Sequence, residues 1–293
     1  MRGLRDSVLR AAASGKAVYR SGRDPAAPAR RSLQFSGDLT MPVLYSRSGE
    51  IAVLTLNEPQ RRNALSRASV ALLFELIERS RAEKARAIVI AANGPVFCAG
   101  ANIDDLKAGW MSGAPDPTDP ALLFRALTEE TRPTIAAVQG GALGGGFELT
   151  LSCDLVVAGT ESYFALPELG HGVIPNTALA RLHRVVGTRR AAELILTRRR
   201  LSAAQAVDWG LANRALPTAD VLSSAIDLAL GIVQSAPPGA IAAAKRNLAH
   251  HGETDWSRVL LSPEDVPPDE WREGLRSFDE RRKPSYDQFW RGM

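Results

Sequence analysis

The chain of 293 residues has two cysteines, Cys98 and Cys153, and four histidines. Two cysteines cannot form a disulfide framework, so a reducing compartment is the default expectation. No cysteine–histidine spacing is typical of zinc binding, and we expect no metal site. The absence of a run of about 18 apolar residues predicts that no helix spans a membrane. A Walker A loop and a G-x-G-x-x-G element are also missing, which weakens any phosphate-loop interpretation.

Basic residues are concentrated at the start of the chain. The chain has 36 Lys and Arg residues, of which eight lie in residues 1–41. It has 32 Asp and Glu residues, of which three lie there. The remaining 28 basic and 29 acidic residues give the body a net charge of −1. Three interpretations of the Arg-, Ser- and Ala-rich start stay open: a disordered tail or an upstream start before Met41, an organelle transit peptide, and a nucleic-acid-binding arm.

Short apolar strands alternate with helices up to about residue 176. Strands are predicted in PVLYSRSGEIAVLTLNEP around a Ser-Gly turn, with Ile51, Val53 and Leu54 toward a core, and in ARAIVIAA, PTIAAVQGGAL, DLVVAG and SYFAL. A helix with Ser66 as N-cap lies between them. Five further helices are predicted after residue 176, where the strand signals fade. The pattern predicts an α/β fold with parallel crossovers.

Composition divides the chain into three predicted regions. They are a disordered basic extension at 1–41, an α/β core at 42–235 and a helical region at 236–293. The stretch 108–121 is rich in Gly, Pro and Asp, which favours a mobile surface loop.

Two glycine-containing turns, GPVFCAGANIDDL and GGALGGGFEL, each follow a strand and open a helix. A helix N-terminus presents unpaired N–H groups, and glycine lets a ligand approach them closely. Two such turns side by side could direct two N–H donors at one oxygen and form an oxyanion hole. The alternative is that the glycines only make tight turns.

Two glutamates add a second chemical signal. Glu148 follows the glycine run, and Glu168 comes twenty residues later, after SYFALP. A strand returning to the same sheet end could bring both carboxylates into one pocket, where one tends to hold a proton. One could then act as acid and the other as base. The alternative for each is a buried or capping carboxylate.

Five segments in succession resemble the crotonase superfamily, the enoyl-CoA hydratase/isomerase family: LNEPQRRNALS, FCAGANIDDL, AAVQGGALGGGFELTLSCDLVVA, FALPELGHGVIP and LSAAQAVDWGLANRALP. The resemblance covers about residues 42–290. It implies a spiral of ββα units with a C-terminal helical trimerisation region. It also implies homotrimers, often paired into hexamers.

The resemblance also implies roles for particular residues. The backbone N–H groups of Ala101 and Gly145 match the oxyanion hole for an acyl-CoA thioester. Glu148 and Glu168 match the two glutamates of the hydratases, which add water across a 2-enoyl-CoA double bond. By this analogy Glu168 exchanges the proton at the α-carbon, and Glu148 holds and activates the water.

Further resemblance concerns the coenzyme A part of the substrate. The implied contacts are Arg61, Arg62, Ala64 and Ala99 at the entry segment, with Phe278 and Arg281 near the adenine, often from a neighbouring subunit. The alternative for the last two is a solvated basic helix face. No separate cofactor is expected, because coenzyme A is part of the substrate.

The sequence departs from the family pattern at two places. Asn102 replaces the usual aspartate after A-G-A, and the segment after Pro175, NTALARL, is about one residue short. His171 is interpreted as pocket rim. Cys98 is interpreted as core packing rather than as a nucleophile, since no histidine partner is evident.

Competing functions stay open at this point. The scaffold also fits an isomerase, hydrolase, lyase or decarboxylase acting on acyl-CoA, and less well a non-catalytic RNA-binding relative. We expect no membrane partner, regard nucleic acid as an unfavoured partner, and predict a cytoplasmic location. A mitochondrial matrix location would follow if residues 1–40 were a transit peptide.

Overall fold

The computed structural model describes residues 34–35, 41–111, 116–249 and 267–291. Most of the predicted extension at 1–41 lies outside these residues, as do positions 112–115 of the predicted loop and 250–266 of the predicted helical region.

The strands of the described residues form two sheets. Their bounds are β1 Gln34–Phe35, β2 Val43–Ser48, β3 Ile51–Leu56, β4 Ala87–Ala92, β5 Val96–Cys98, β6 Thr134–Val138, β7 Gly141–Leu143, β8 Leu155–Gly159, β9 Tyr163–Ala165, β10 Leu201–Ser202 and β11 Arg214–Leu216. The main sheet has the order β1–β2–β3–β4–β6–β8–β11 and is parallel from β3 onward. The second has the order β10–β9–β7–β5, with β9, β7 and β5 parallel.

The α-helices of the described residues lie between and after these strands. Their bounds are α1 Arg67–Ala82, α2 Ile103–Lys107, α3 Pro120–Glu129, α4 Gly145–Leu151, α5 Asn176–Val186, α6 Thr188–Thr197, α7 Ala203–Asp208, α8 Val221–Ser235, α9 Pro238–Ala249, α10 Pro268–Asp279 and α11 Asp287–Trp290. The predicted N-cap of α1 is confirmed: the Ser66 side chain accepts a hydrogen bond from the Ser69 N–H at 3.1 Å, and Ser69 Oγ accepts one from the Ser66 N–H.

The main sheet is buried on both faces, which explains its uninterrupted apolar strands. Alternate residues such as Ala52 and Leu54 join a large core with α1 and α4 to α7, while Ile51 and Val53 face α8. The α/β fold class is therefore confirmed. By length and composition alone, no single described helix could cross a membrane; only Thr218–Ser235 together with Pro238–Leu248, a pair bent by 113°, passes that test.

The predicted strand PTIAAVQGGAL is in fact two strands in different sheets. β6 ends at Val138, and β7 begins at Gly141 in the second sheet. Between them Gly140 has φ 65°, and a Cβ there would lie 1.8 Å from the Pro95 carbonyl oxygen. Only glycine allows this close crossing, and it directs β7 toward the other sheet.

Three other expectations need correction. Strand structure does not end near residue 176, because β10 pairs with β9 and β11 pairs with β8. Helix α5 was not predicted, although its buried residues Ala178, Leu182 and Val186 recur at helical spacing. The segment 108–121 is not wholly exposed, since Trp110 is buried and donates to Thr118 Oγ1 at 3.2 Å.

Candidate active site

The two glycine turns meet because β5 and β7 are parallel neighbours that end at the same sheet edge. Gly100 follows β5 with φ 92°, and Gly144 follows β7 with φ 53°. A Cβ on Gly100 would lie 3.2 Å from the Gly145 nitrogen, and one on Gly145 would lie 3.7 Å from the Ala101 nitrogen. The structure therefore brings the backbone N–H groups of Ala101 and Gly145 side by side.

Local hydrogen bonding determines where these two N–H groups point. Leu65 bridges Ala101 in parallel fashion: its N–H donates to Gly100 and its carbonyl accepts from Asn102, each at 2.7 Å. In such a bridge the N–H of the middle residue, Ala101, points away from Leu65. Gly145 is the first residue of α4, so its N–H has no partner within the helix. The two neighbouring N–H groups are thus left for another acceptor, as the donors of an oxyanion hole must be.

Glu148 lies in the first turn of α4 and is 9% exposed. Its Oε1 accepts hydrogen bonds from the N–H groups of Thr177 and Ala178, at 2.8 and 3.0 Å. Those residues form the first turn of α5, whose N-terminus favours an anion. The pKa of Glu148 is raised by burial, while the two hydrogen bonds act in the opposite direction. Glu148 is thus a buried carboxylate with partners for one oxygen.

Glu168 reaches the same place through the pairing of β9 with β7. Leu143 is in register with Ala165, and the Gly144 N–H donates to the Ala165 carbonyl at 2.9 Å. Glu168 then begins a 3₁₀ turn, Glu168–His171, rather than ending the strand. A Cβ on Gly144 would lie 2.8 Å from Glu168 Oε1, so the carboxylate lies against the glycine turn.

The carboxyl group of Glu168 is less well satisfied than that of Glu148. Its Oε2 is buried, and among the described residues it has no hydrogen-bond partner. Burial raises the pKa of Glu168 to about 7, and the negative charge of Glu148 contributes to this increase. The two groups therefore interact, and their environments differ: two backbone N–H groups oppose the effect of burial on the pKa of Glu148, whereas Glu168 can carry a proton near neutral pH.

Three other side chains from the sequence analysis have structural explanations. Asn102 caps α2, accepting from the N–H groups of Asp104 and Asp105 at 2.9 and 3.1 Å, a task that asparagine performs as well as aspartate. Cys98 is fully buried, and burial raises the pKa of its thiol to about 12, which agrees with core packing. His171 is exposed at the end of the 3₁₀ turn.

Comparison with known proteins agrees with this geometry. A sequence profile described as enoyl-CoA hydratase/isomerase matches residues 46–289. The chain belongs to the enoyl-CoA hydratase/isomerase family. It is similar to the mevalonyl-coenzyme A hydratase of Aspergillus fumigatus, with 35% identity over 80% of this chain and 91% of that protein. It is equally similar, at 35% and with 82% of each chain covered, to an Arabidopsis thaliana protein named "Probable enoyl-CoA hydratase 2, mitochondrial".

Solved structures extend the likeness to the fold. The enoyl-CoA hydratase of the bacterium Polaromonas sp. JS666 superposes with a TM-score of 0.76, at 30% identity, over 83% of this chain and 99% of that one. The crotonase fold expected from the sequence is therefore confirmed. Relatives come from bacteria and include a mitochondrial form. The trimerisation role of the C-terminal helices stays a prediction.

The residues expected to contact coenzyme A fall into two groups. Arg61, Arg62 and Ala64 lie beside the first glycine turn, where the Ala99 N–H donates to the Arg62 carbonyl at 3.0 Å. Phe278, by contrast, is 81% exposed near the end of α10. That helix is joined to α9, because Glu270 accepts from the N–H groups of Gly239 and Ala240.

Arg281 belongs to the second group. It is exposed just beyond α10 and has φ 51°. Within this single chain, therefore, the structure groups the entry segment with the glycine turns. A contact of Phe278 or Arg281 with coenzyme A stays a prediction.

The two backbone donors that bind Glu148 were not predicted from the sequence. Thr177 and Ala178 contribute N–H groups rather than side chains, so residue type carries no signal for them. The available signal was the proline at position 175 before a helical apolar period, which indicates the start of a helix.

Proposed function

We propose that this member of the family is an enoyl-CoA hydratase, which adds water across the double bond of a 2-enoyl-CoA. The observation that carries the proposal is the pairing of Glu148 with Glu168 beside the Ala101 and Gly145 N–H groups. Hydration needs a base for the water, an acid for the α-carbon and a site for negative charge on the thioester oxygen. These four groups supply all three.

The proposed reaction assigns each group one task. Glu148, whose Oε1 is held by two N–H groups of α5, accepts a proton from water while the water oxygen bonds to the β-carbon. The electron pair of the double bond moves toward the thioester carbonyl, and protonated Glu168 delivers its proton to the α-carbon. The charge on the thioester oxygen is stabilised by the Ala101 and Gly145 N–H groups, each worth about 3–4 kcal/mol. Proton exchange with solvent resets both glutamates.

Coenzyme A enters this reaction as part of the substrate, so the proposal needs no separate cofactor. Arg61, Arg62, Ala64 and Ala99 are the proposed contacts within one chain. Exposed Phe278 and Arg281 would complete the site of a neighbouring copy in a homotrimer or hexamer. A cytoplasmic or mitochondrial location stays a prediction.

The test follows loss of the conjugated thioester absorbance with crotonyl-CoA and longer 2-enoyl-CoAs. Glu148→Gln and Glu168→Gln should each lower kcat by about 10²-fold or more, because each removes an acid–base group. Exposed Glu78→Gln is the matched control and should leave kcat unchanged. If the wild-type enzyme binds thioesters without hydrating them, or releases free coenzyme A, CO₂ or a shifted double bond, hydration is the wrong reaction.

A further inference from the structure

The strongest local charge in the described residues lies away from the glycine turns. Residues 181–200 contain seven arginines and one acidic residue, Glu193, although the body of the chain has a net charge near zero. All seven are exposed or half-buried. Arg181 donates to the Leu151 carbonyl, and the other six lie on α5, α6 and the link to β10. We name this group the arginine surface: Arg184, Arg189, Arg190, Arg198, Arg199 and Arg200.

Aromatic rings hold part of the arginine surface in place. The guanidinium groups of Arg190 and Arg199 lie over the Trp209 ring, 4.8 and 5.0 Å from its centroid, and Arg200 lies 4.4 Å from the centre of Tyr163. A guanidinium group that contacts a ring through its face keeps its N–H edge for other partners. The edge of Arg199 already donates to Glu193, Gln205 and the Arg200 carbonyl, so Arg190 and Arg200 are the stacked arginines whose edges remain for a ligand. Such preordered edges match phosphate oxygens, which arginine binds through two parallel hydrogen bonds.

Nearby carboxylates neutralise only part of this charge. Glu193 accepts a hydrogen bond from Arg199 Nε at 2.6 Å. Glu161 lines a shallow cavity together with Arg200. Asp208 directly precedes Trp209 in the sequence. Three acidic groups against six arginines leave an excess of positive charge on this segment.

Aliphatic side chains are exposed on the same two helices. Leu196 on α6 is 68% exposed and Val185 on α5 is 44% exposed. Arginine interleaved with exposed aliphatic residues is the composition of protein surfaces that bind the interface of an anionic membrane.

We propose that the arginine surface docks the protein on an anionic phospholipid bilayer. A nucleic acid would stack its bases on exposed aromatic rings. Here two guanidinium groups already lie over the Trp209 ring and one lies over the Tyr163 ring, so these rings are not available for stacking. A bilayer needs only phosphate binding and shallow entry of Leu196. This proposal revises the expectation of no membrane partner. That expectation depended on the lack of a long apolar run, which concerns spanning and not surface docking.

Docking would place one edge of the candidate active site near the lipid. Gly170 lies two residues after Glu168, and a Cβ there would lie 2.3 Å from Arg198 Nη1, so Arg198 packs on the 3₁₀ turn. If the proposed function holds, an amphiphilic acyl-CoA could pass from the membrane surface to this edge. The docking itself does not depend on that function.

The test is vesicle co-sedimentation of the full chain. Vesicles of phosphatidylcholine alone are compared with vesicles that also contain phosphatidylglycerol, at two salt concentrations. Binding should require phosphatidylglycerol and weaken with salt. Arg184→Gln with Arg189→Gln should weaken binding about 25-fold, since each arginine near an anionic surface contributes roughly fivefold. Leu196→Ser should weaken it further.

The matched control is Arg125→Gln with Arg272→Gln, which removes the same charge from exposed positions on α3 and α10. It should bind vesicles as the wild type does. Hydration of soluble crotonyl-CoA should be equal in all variants, so a failure of docking is distinguishable from a failure of the proposed function.

Four outcomes would overturn the docking proposal. First, the wild type could fail to sediment with either kind of vesicle. Second, the arginine variant could bind as well as the control, and this result would assign the binding to residues 1–41 instead. Single-stranded RNA could bind more tightly than vesicles and depend on the same arginines. A changed elution volume of the arginine variant in size-exclusion chromatography would show instead that this surface joins copies of the chain.

Discussion

Gly144 is required to be glycine for two separate reasons. Its φ of 53° disfavours a side chain, and a Cβ would lie 2.8 Å from Glu168 Oε1. Three of the five glycines in the run GGALGGG have a steric explanation. Gly140 crosses Pro95, Gly144 adjoins Glu168, and a Cβ on Gly146 would lie 2.3 Å from the Cys98 carbonyl oxygen.

Glu168 should make folding stability depend on pH. Its pKa is about 7 in the folded protein, against 4.5 for an ordinary glutamate. Because the pKa of this carboxyl is higher in the folded than in the unfolded protein, folding favours its protonated form. The resulting stability is fully present below the unfolded pKa and is lost as pH rises through about 7. Between pH values of about 5 and 8 the wild type should lose about 1–2 kcal/mol of unfolding free energy relative to Glu168→Gln, allowing for partial exposure.

Urea unfolding of both proteins across this pH range measures that difference. Glu78→Gln, with its exposed carboxylate, should follow the wild type. Parallel pH profiles for the wild type and Glu168→Gln would show that the Glu168 carboxyl is solvated in solution.

At the scale of elements, α5 holds α4 at two points. Its first turn donates to Glu148, and Arg181 Nε donates to the Leu151 carbonyl at the other end of α4 at 3.0 Å. The unpredicted helix is thus the element that orients one of the two glutamates.

Proline substitutions can distinguish the contribution of the N–H groups of α5 from that of its side chains. Thr177→Pro removes one donor to Glu148 and should lower kcat/KM for hydration by about 10-fold or more, because a hydrogen bond to a charged group contributes about 1.5–3 kcal/mol. Asn176→Pro places proline at the first helical position, keeps both donors and should have a much smaller effect. Equal losses in the two variants would point to the helix start rather than to the hydrogen bond.

The elements were largely predictable from the sequence, but the contacts between them were less so. The strands around Ser48 and Gly49, the helix capped by Ser66 and the position of Glu148 in a first helical turn follow from local patterns. The division of PTIAAVQGGAL between two sheets does not, because it depends on Pro95, which is distant in sequence. Strand β11 was missed because three partly exposed residues carry little periodicity.

The candidate site shows the same limit. The spacing of Glu148 and Glu168 suggested a pair, and the resemblance to a family supplied the oxyanion donors. The actual convergence depends on the register of β7 with β9, which no local pattern encodes. The two donors from α5 are backbone N–H groups, so the residue types at those positions could not predict them.

At the scale of the whole molecule, the last described helix, α11, packs against the main sheet. Trp290 on α11 is 4% exposed and lies within the core on the α8 face of the main sheet. Arg86, just before β4, pairs with Asp287 and with Glu50 at 2.8 Å each. The last described helix therefore stabilises the main sheet at β3 and β4.

Trp290 should contribute strongly to global stability. Trp290→Ala should lower the free energy of unfolding by about 3–5 kcal/mol, because it removes a buried aromatic side chain and leaves a cavity. Trp290→Phe should cost much less, since the indole N–H is buried without a partner among the described residues. Chemical denaturation measures both, and similar small losses would mean that α11 is detached in solution.

The proposed oxyanion donors are main-chain groups, whereas both proposed acid–base groups are side chains. A single nucleotide change can replace Glu148 or Glu168, but no replacement other than proline deletes the N–H of Ala101 or Gly145. On the proposed function, capture of a thioester and its chemical conversion are therefore inherited separately. A gene duplicate could lose hydration and acquire another reaction while it still retained the means to hold its substrate.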